Sequence, residues 1–426
     1  MDKTICILPW IHMYVNADGN VLPCCIGDYK QPLGNTHNRS IEDIWNSHEY
    51  KTLRKQLMNG EKPSVCHQCW KHEEAGNNSS RISNNKRFKE DFHIVDKTNT
   101  DGSLDTMDLR YFDVRWSNIC NFKCRTCSAT YSSNWAVEDN QHGDNKPVYI
   151  FAGGDSNDSL YNQFKPHFKN IKVFYFAGGE PLMTDKHYEI LEHLIETGNT
   201  KVTLEYNSNV SRLKYKNKSI IDLWNKFENV TVSASLDSWG SRAEYIREGT
   251  DWDKVESNLH TIKEKCPHVK ISFNTVVSIF NLCTLTDFLK YITARGFNTN
   301  NGSLYNIVDP NYYSVSAMPQ QLKNTAKSKI EDYMNDNPGK FSHQLKGVLR
   351  YMVSPMAIVD VIAIVPSFIG VRAELKILRI IRLLRILKIG RSEKFKESIY
   401  HFNYALRSKS QELQISIFYT ILLLLI

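Results

Sequence analysis

Alternating hydrophobic and polar positions in the middle of the chain predict strands separated by helices. The two-residue period of a β-strand recurs in six short segments, and helical spacing recurs between several of them. The predicted strands are 109–117, 173–177, 201–207, 230–236, 269–277 and 302–308, and the predicted helices are 186–197, 219–227, 252–265 and 284–295. This alternation favours an α/β fold, a partial (β/α)6 barrel over residues 107–345 that ends in a closing helix.

The first 75 residues follow a different pattern. Apolar segments 10–15 and 21–23 flank the turn-forming segment 16–20 and predict a β-hairpin. Ser40, placed three residues before Asp43, predicts the start of a helix with an apolar stripe. We therefore expect a small, cysteine-rich α+β domain at 1–75. Residues 76–106 are polar and rich in Asn and Ser, which predicts a surface linker.

Composition and charge limit the class of protein. The chain has 426 residues, of which 41% are hydrophobic and 23% charged, as in a folded protein of two or three domains. Its net charge is +7, but from Lys346 to the end thirteen Lys and Arg face five Asp and Glu. Residues 1–345 therefore carry about −1 and give no electrostatic reason to expect nucleic acid. The segment Met1–Thr4 lacks a signal peptide's apolar core, so we expect residues 1–345 to be cytoplasmic.

Three of the ten cysteines follow the first predicted strand directly. Cys120, Cys124 and Cys127 have C-x3-C-x2-C spacing. Three thiolates on a short loop can hold three irons of a cubane [4Fe–4S] cluster and leave the fourth iron without a protein ligand. Chance proximity and a zinc ribbon are the alternatives.

Four further cysteines form two pairs in the N-terminal region, and they predict a closed tetrahedral site. They are Cys6, Cys24, Cys66 and Cys69. Spacing alone leaves open whether this site holds Zn²⁺ or a fully ligated [4Fe–4S] cluster. Cys25 remains as a neighbour without an assigned role.

These motifs together resemble the radical S-adenosylmethionine (radical SAM) enzymes. The C-x3-C-x2-C loop is similar to that family's cluster signature, and Gly178-Gly179-Glu180, at the end of the second predicted strand, is similar to its GGE motif. The C-x12-G-x4-C and C-x2-C arrangement resembles the SPASM/twitch auxiliary domain, which more often follows the barrel. The resemblance implies a SAM-binding [4Fe–4S] cluster, SAM bound through its amino group at the GGE motif, and a second, auxiliary [4Fe–4S] cluster.

Polar residues at later strand ends supply further candidate SAM contacts. Asn207 ends the third predicted strand, and Ser235 and Asp237 share one face at the end of the fourth. Functional groups collect at the carboxyl ends of strands in such barrels, where these side chains suit a ribose diol. Arg247 offers a guanidinium that can form a forked interaction with the SAM carboxylate.

The resemblance also implies a mechanism. One electron enters the cluster and cleaves SAM to a 5′-deoxyadenosyl radical, which abstracts a hydrogen from a substrate. The auxiliary cluster then acts as an electron relay or a substrate platform. A peptide or protein is the expected substrate, and a flavodoxin or ferredoxin is the expected reductant.

The last eighty residues, 346–426, have a different composition. Segment 351–371 is nearly uncharged and long enough to span a bilayer, and cations then recur at every third residue from Lys376 to Arg391 among Ile and Leu. This resembles a fragment of a voltage-gated, potassium-type ion channel, an all-α, transmembrane-like segment with Asp360 as the partner of the cations. No filter sequence occurs, so we expect a gene fusion, an assembly accident or a truncated product. The alternatives are a voltage-regulated enzyme and a truncated membrane protein with an enzyme-derived N-terminus, and either would place the expressed tail in a membrane.

Overall fold

The structure is a computed structural model, and it describes residues 4–74, 78–145, 147–297, 302–307, 310–339 and 341–352. In these residues the strands are β1 (His12–Val15), β2 (Asn20–Leu22), β3 (Gly34–Asn35), β4 (Tyr111–Val114), β5 (Lys123–Cys124), β6 (Val173–Phe176), β7 (Thr203–Ser208), β8 (Lys214–Tyr215), β9 (Lys218–Ser219), β10 (Asn229–Ser235), β11 (Arg247–Glu248), β12 (Lys270–Val277) and β13 (Ser303–Asn306). The α-helices are α1 (Leu8–Ile11), α2 (Ile41–Trp45), α3 (His48–Met58), α4 (His67–Glu74), α5 (Ser80–Arg87), α6 (Ser133–Gln141), α7 (Asp158–Phe164), α8 (Asp185–Glu196), α9 (Ile220–Trp224), α10 (Gly240–Ile246), α11 (Trp252–Lys265), α12 (Leu285–Ala294), α13 (Gln320–Asp336) and α14 (Ser342–Met352).

One mixed sheet organises the described part of the chain. Its strand order is β13–β12–β10–β7–β6–β4–β1–β2–β3. The six predicted strands are confirmed as β4, β6, β7, β10, β12 and β13, and they run parallel to their neighbours. The four predicted helices correspond to α8, α9, α11 and α12. The short helices α6, α7 and α10 were not predicted because none has a long apolar stripe.

The N-terminal strands extend the same sheet. The predicted hairpin is confirmed as β1 and β2, which pair antiparallel. Strand β1 also pairs parallel with β4, so Tyr14 lies opposite Asp113, and the rings of His12 and Tyr111 stack with centroids 4.5 Å apart. The expected small domain therefore shares the sheet with the barrel strands. The single helix predicted in this region is divided into α2 and α3, and α2 begins after Ser40 as predicted.

The two faces of the sheet differ in polarity. In β10, Val230, Val232 and Ala234 are buried, whereas Ser233 and Ser235 on the other face are half-buried. The apolar face packs against the helices, with Phe112 at the centre of an aromatic cluster whose ring centroids are 5.3–5.4 Å from those of Phe164, Phe168 and Phe174. The polar face is left to line the interior.

The prediction that residues 76–106 form a surface linker needs correction, because much of this segment is helical and partly buried. Helix α5 and a 3-10 helix at Lys89–Lys97 occupy much of it, and Phe88, Ile94 and Val95 are buried. Arg81 is also buried, because its guanidinium pairs with Glu73 at 2.6 Å. Polar composition suggested a linker because buried polar partners cannot be distinguished from solvated residues in the sequence.

The expected boundary between residues 345 and 346 falls inside α14. Leu345, Val348 and Met352 of this helix are buried, and Tyr351 donates a hydrogen bond to the Ile307 carbonyl at 3.4 Å. Among the helices that the structure describes, none combines the length and the apolar character that crossing a bilayer requires. The rest of the predicted channel-like segment, 353–426, lies outside the described residues.

Candidate functional site

The cysteine loop, residues 117–127, leaves the carboxyl end of β4 and is fixed by a buried asparagine. Asn118 donates to the carbonyls of Ala129 and Val148 at 2.9 and 3.0 Å and accepts from the Ile150 N–H at 2.9 Å. The Ser132 hydroxyl donates to the Phe122 carbonyl at 2.6 Å. Polar contacts with residues far along the chain thus hold the loop, and sequence spacing gave no sign of them.

Of the three cysteines of this loop, Cys124 is buried and Cys120 and Cys127 are half-buried, and their thiols influence one another. The pKa of Cys124 is raised to about 11, chiefly by burial and also by the neighbouring Cys127, and Arg247 opposes the rise. Burial also raises the pKa of Cys120 and of Cys127. A bound metal centre would have to displace these thiol protons, because thiolates are the ligands.

The GGE motif lies directly against the cysteine loop. The Glu180 N–H donates to the Ile119 carbonyl at 2.7 Å, and the Gly179 N–H donates to the Ser117 carbonyl at 3.3 Å. A Cβ atom at Gly179 would come within 2.2 Å of the Ile119 carbonyl oxygen, so only glycine allows this approach. Gly178 has φ +123° and packs on Arg115.

The Glu180 side chain is directed into the protein. Its carboxylate accepts hydrogen bonds from the Leu182 N–H at 3.1 Å, the Ser208 hydroxyl at 2.8 Å and the Asn209 N–H at 2.8 Å. Burial raises its pKa to about 7, and these three hydrogen bonds oppose the rise. The side chain therefore joins the ends of β6 and β7, which the motif alone did not predict.

Asp237 and Arg247 pair with each other. Arg247 Nε donates to Asp237 Oδ2 at 2.8 Å, and Nη1 donates to the Cys124 sulfur at 3.8 Å. Asp237 Oδ1 accepts from the Val276 N–H at 2.8 Å, and the residue is 1% exposed. Each oxygen of Asp237 thus accepts a hydrogen bond from a protein donor, and its expected contact with a ribose diol stays a prediction. Arg247 is directed toward the cysteine loop.

Asn207 and Ser235 lie on the polar face of the sheet, as expected. Asn207 Nδ2 donates to the Tyr175 hydroxyl at 2.5 Å, and Asn274 Nδ2 donates to Asn207 Oδ1 at 2.9 Å. Ser235 lies opposite Asn274 in the pairing of β10 with β12. These side chains form a polar row across four strands.

A buried ion pair between Asp113 on β4 and Arg115, the residue that follows this strand, continues the row and was not predicted. Arg115 Nη2 lies 3.1 Å from Asp113 Oδ1, and the guanidinium lies 4.8 Å from the Tyr175 ring and 5.4 Å from the Tyr14 ring. Arg115 Nη1 has no hydrogen-bond partner within the described residues. Burial raises the pKa of Asp113 to about 6, although Arg115 lowers it. The alternation of Tyr111, Asp113 and Arg115 along the predicted strand 109–117 was the available signal.

The N-terminal cysteines gather around one cavity. Its lining includes Cys6, Cys24, Cys66, Cys69 and Arg81. Burial raises the pKa of all four thiols, that of Cys6 to about 12. Arg81 donates to the carbonyl of Ile5, beside Cys6, at 2.9 Å and pairs with Glu73 on the helix that carries Cys69. Cys25 does not line this cavity. Burial, together with the negative charge of Asp113, raises the pKa of Cys25 to about 11, and Arg115 opposes the rise.

Both cysteine groups supply thiols, the ligand type shared by structural zinc sites and iron–sulfur clusters. In the part of the chain that the structure describes, no three His, Cys, Asp or Glu side chains converge as around one metal ion. A structural zinc ion needs four ligands converging on one atom at about 2.3 Å for sulfur. A cubane cluster binds each thiolate through a different iron, so its ligands do not all converge on one atom. The four thiols around the N-terminal cavity are therefore the donor set that a fully ligated iron–sulfur cluster takes.

Comparison with known proteins matches these two regions. Residues 114–292 match the Radical SAM superfamily, and residues 6–70 match SPASM, an iron–sulfur cluster-binding domain. No curated protein sequence matches the chain.

Similar solved structures include native anSMEcpe with bound AdoMet, at 22% identity over 52% of this chain and 60% of that chain, with a TM-score of 0.36. Native anSMEcpe with bound AdoMet and Cp18Cys peptide is 20% identical over 52% and 60%, with a TM-score of 0.36. Streptococcus suis SuiB bound to S-adenosylmethionine is 12% identical over 79% and 70%, with a TM-score of 0.38. The chain thus spans about three fifths of the anSMEcpe structures.

Proposed function

Because the protein is a radical SAM enzyme with a SPASM domain, we propose that it cleaves SAM reductively at the cysteine loop and abstracts a hydrogen atom from a peptide or protein. When bound, the [4Fe–4S] cluster and SAM supply the one-electron cleavage of the sulfonium. The protein's own residues hold these groups and exclude water. The observation that carries the proposal is the contact between the cysteine loop and the GGE motif.

We assign the cluster ligands to Cys120, Cys124 and Cys127. The lack of side chains at Gly178 and Gly179 lets the GGE motif, to which we assign the amino group of SAM, pack closely against Arg115 and the cysteine loop, while the Glu180 carboxylate positions the end of β7. Arg247 remains the candidate partner of the SAM carboxylate, oriented by Asp237.

Cys6, Cys24, Cys66 and Cys69 are proposed to hold the auxiliary [4Fe–4S] cluster. Their common cavity and the bridging role of Arg81 support this assignment. The auxiliary unit then includes helix α5, and the barrel unit extends from residue 107 to Met352.

A peptide substrate suits the polar row on the inner face of the sheet. Asn207 and Asn274 provide amide groups, and Tyr175 and the Asp113–Arg115 pair add further polar groups. A peptide offers both amide donors and carbonyl acceptors to such a surface. A flavodoxin or ferredoxin would supply the electron. The channel-like interpretation of 346–426 receives no support from the family matches, which fall on 6–70 and 114–292.

Iron analysis of anaerobically purified protein tests the proposal. We expect about eight irons per chain with matching sulfide, and release of 5′-deoxyadenosine from SAM when titanium(III) citrate is the reductant. Cys124→Ala should lose about four irons and all SAM cleavage. Cys25→Ala is the matched control and should keep its full iron content and SAM cleavage. Cys24→Ala should lose the auxiliary cluster alone. Zinc without sulfide in the purified protein would disprove the proposal.

A further inference from the structure

A cleft rich in cations opens beside α9 and α11. It encloses about 810 Å³. Five cationic side chains and one carboxylate are among its lining residues: Arg212, Lys214, Lys216, Lys254, Lys265 and Asp222. These six define the basic cleft.

The charges of the basic cleft are largely unneutralised. All five cationic residues are exposed. Within the described residues, Lys216 pairs with Asp185 at 2.6 Å, and no ion pair forms at Arg212, Lys214, Lys254 or Lys265. Residues 1–345 carry a net charge of about −1, so this surface is a local concentration of positive charge. Such a surface attracts anionic partners and speeds their association.

The basic cleft adjoins the cysteine loop. Asn121, between Cys120 and Cys124, donates to the Ser211 hydroxyl at 3.0 Å and accepts from Asn209 Nδ2 at 3.0 Å. Arg212 follows Ser211 in the chain. Asn258, which also lines the cleft, donates to the Val210 carbonyl at 2.8 Å. A partner seated in the cleft would therefore lie next to the segment that contacts the cluster loop.

The chemistry of the cleft favours an acidic protein surface over other anions. Its lining contains no aromatic ring on which a nucleic-acid base could stack. Its cations are spread over the β8–β9 hairpin, the residues just before it and helix α11, and they are exposed, as in surfaces that steer protein association.

We propose that the basic cleft is the docking surface for an acidic protein that donates single electrons, such as a reduced flavoprotein. This proposal rests on the proposed function, in which one electron must reach the cluster at each SAM cleavage. The donor loses one electron, the cluster gains it, and no bond is formed between the two proteins.

The test compares two reductants on the full chain and on the variant Lys214→Gln, Lys254→Gln, Lys265→Gln. With a negatively charged flavodoxin in its hydroquinone form at low salt, cluster reduction followed by visible absorbance should slow about tenfold or more in the variant. Added salt should slow the parent and have little effect on the variant. Titanium(III) citrate should reduce both proteins at the same rate. The dissociation constant for oxidised flavodoxin, measured by fluorescence anisotropy, should rise in parallel.

The matched control removes three lysines near the amino ends of the strands, in Lys169→Gln, Lys201→Gln, Lys270→Gln. These lysines are also exposed, and the control should behave like the parent. Equal flavodoxin rates in the cleft variant and the parent would overturn the proposal, as would an equal loss in the control. The proposal would also be overturned if the cleft variant lost the parent's binding to a single-stranded RNA 20-mer while flavodoxin still reduced its cluster at the parent's rate. Failure of the parent to cleave SAM with titanium(III) citrate would instead refute the proposed function.

Discussion

Arg247 Nε donates to Asp237 Oδ2 at 2.8 Å, and the pair lies beneath the cysteine loop. Both residues are largely buried, with side chains 13% and 0% exposed. Strand β11, which contains Arg247, pairs antiparallel with β5, which contains Cys124. The Asp237 carboxylate thus fixes the Arg247 guanidinium, whose Nη1 contacts the Cys124 sulfur. Asp237 therefore acts on the cysteine loop through Arg247.

Asp237→Asn should destabilise the protein and alter the loop cluster. Removing one charge of a buried pair costs about 3–5 kcal/mol because the other charge stays buried. We expect a lower urea midpoint and a changed electron paramagnetic resonance spectrum of the reduced loop cluster. The control is Glu205→Gln, which breaks the more exposed Arg87–Glu205 pair and should cost about 1 kcal/mol or less. An unchanged spectrum in Asp237→Asn would contradict the positioning role.

Glu180 should make stability depend on pH. Burial raises its pKa from 4.5 to about 7. A raised pKa in the folded state gives stability that is fully present below the unfolded value of 4.5 and is lost as pH rises through 7. Urea unfolding of the wild type and Glu180→Gln from pH 5 to 8 should show the variant gaining up to ~3 kcal/mol relative to the wild type. If the difference in unfolding free energy between Glu180→Gln and the wild type did not change with pH, the three hydrogen bonds would be keeping the Glu180 carboxylate ionised over the whole range.

Gly179→Ala should displace the cysteine loop. The added Cβ would lie 2.2 Å from the Ile119 carbonyl oxygen, and the other atoms nearest to it are also backbone atoms of Asn118 and Ile119, which cannot rotate away as a side chain can. We expect loss of about four irons and of SAM cleavage, with the auxiliary cluster retained. Gly347→Ala is the control: it adds a Cβ in α14 with nothing within 4 Å, and should stabilise the helix by about 0.5–1 kcal/mol. Full iron content in Gly179→Ala would show that the loop tolerates the shift.

Sequence patterns were most reliable where one face of an element is buried. The six parallel strands and the β1–β2 hairpin were predicted because alternation records which side chains enter the core. The cysteine groups were predicted because thiols are rare and their spacing carries chemical meaning. Both kinds of signal are local in the chain.

Polar partners that are distant in sequence could not be predicted. Asp237 and Arg247 were each predicted to contact SAM. Nothing local in the sequence shows that β11 pairs with β5 and places the Arg247 guanidinium beside the Asp237 carboxylate. Asp113 and Arg115 are close together in the chain, but nothing local shows that the rings of Tyr14 and Tyr175 lie against the Arg115 guanidinium and bury the pair. The 76–106 segment was considered a linker, although Arg81 connects two cysteine-bearing segments.

Arg81→Ala should release the auxiliary cluster alone. Its guanidinium joins the Ile5 carbonyl to Glu73 and so holds the segments of Cys6 and Cys69 together. Iron should fall from about eight to about four per chain, while the loop cluster still supports SAM cleavage in the absence of substrate. Arg87→Ala, on the same helix, is the control and should keep all the iron. Full iron in Arg81→Ala would show that the cysteines alone hold the site.

Truncation should locate the end of the enzyme at Met352. Val348 and Met352 are 1% and 3% exposed, and burying each contributes about 1.5–3 kcal/mol. A chain of residues 1–345 loses both contacts, a large part of the ~5–15 kcal/mol that stabilises a typical domain. A chain of residues 1–352 should therefore keep both clusters and SAM cleavage and melt several degrees above the 1–345 chain. Equal melting of the two chains would show that α14 contributes nothing to the core, and failure of the 1–352 chain to fold would assign part of the core to residues 353–426.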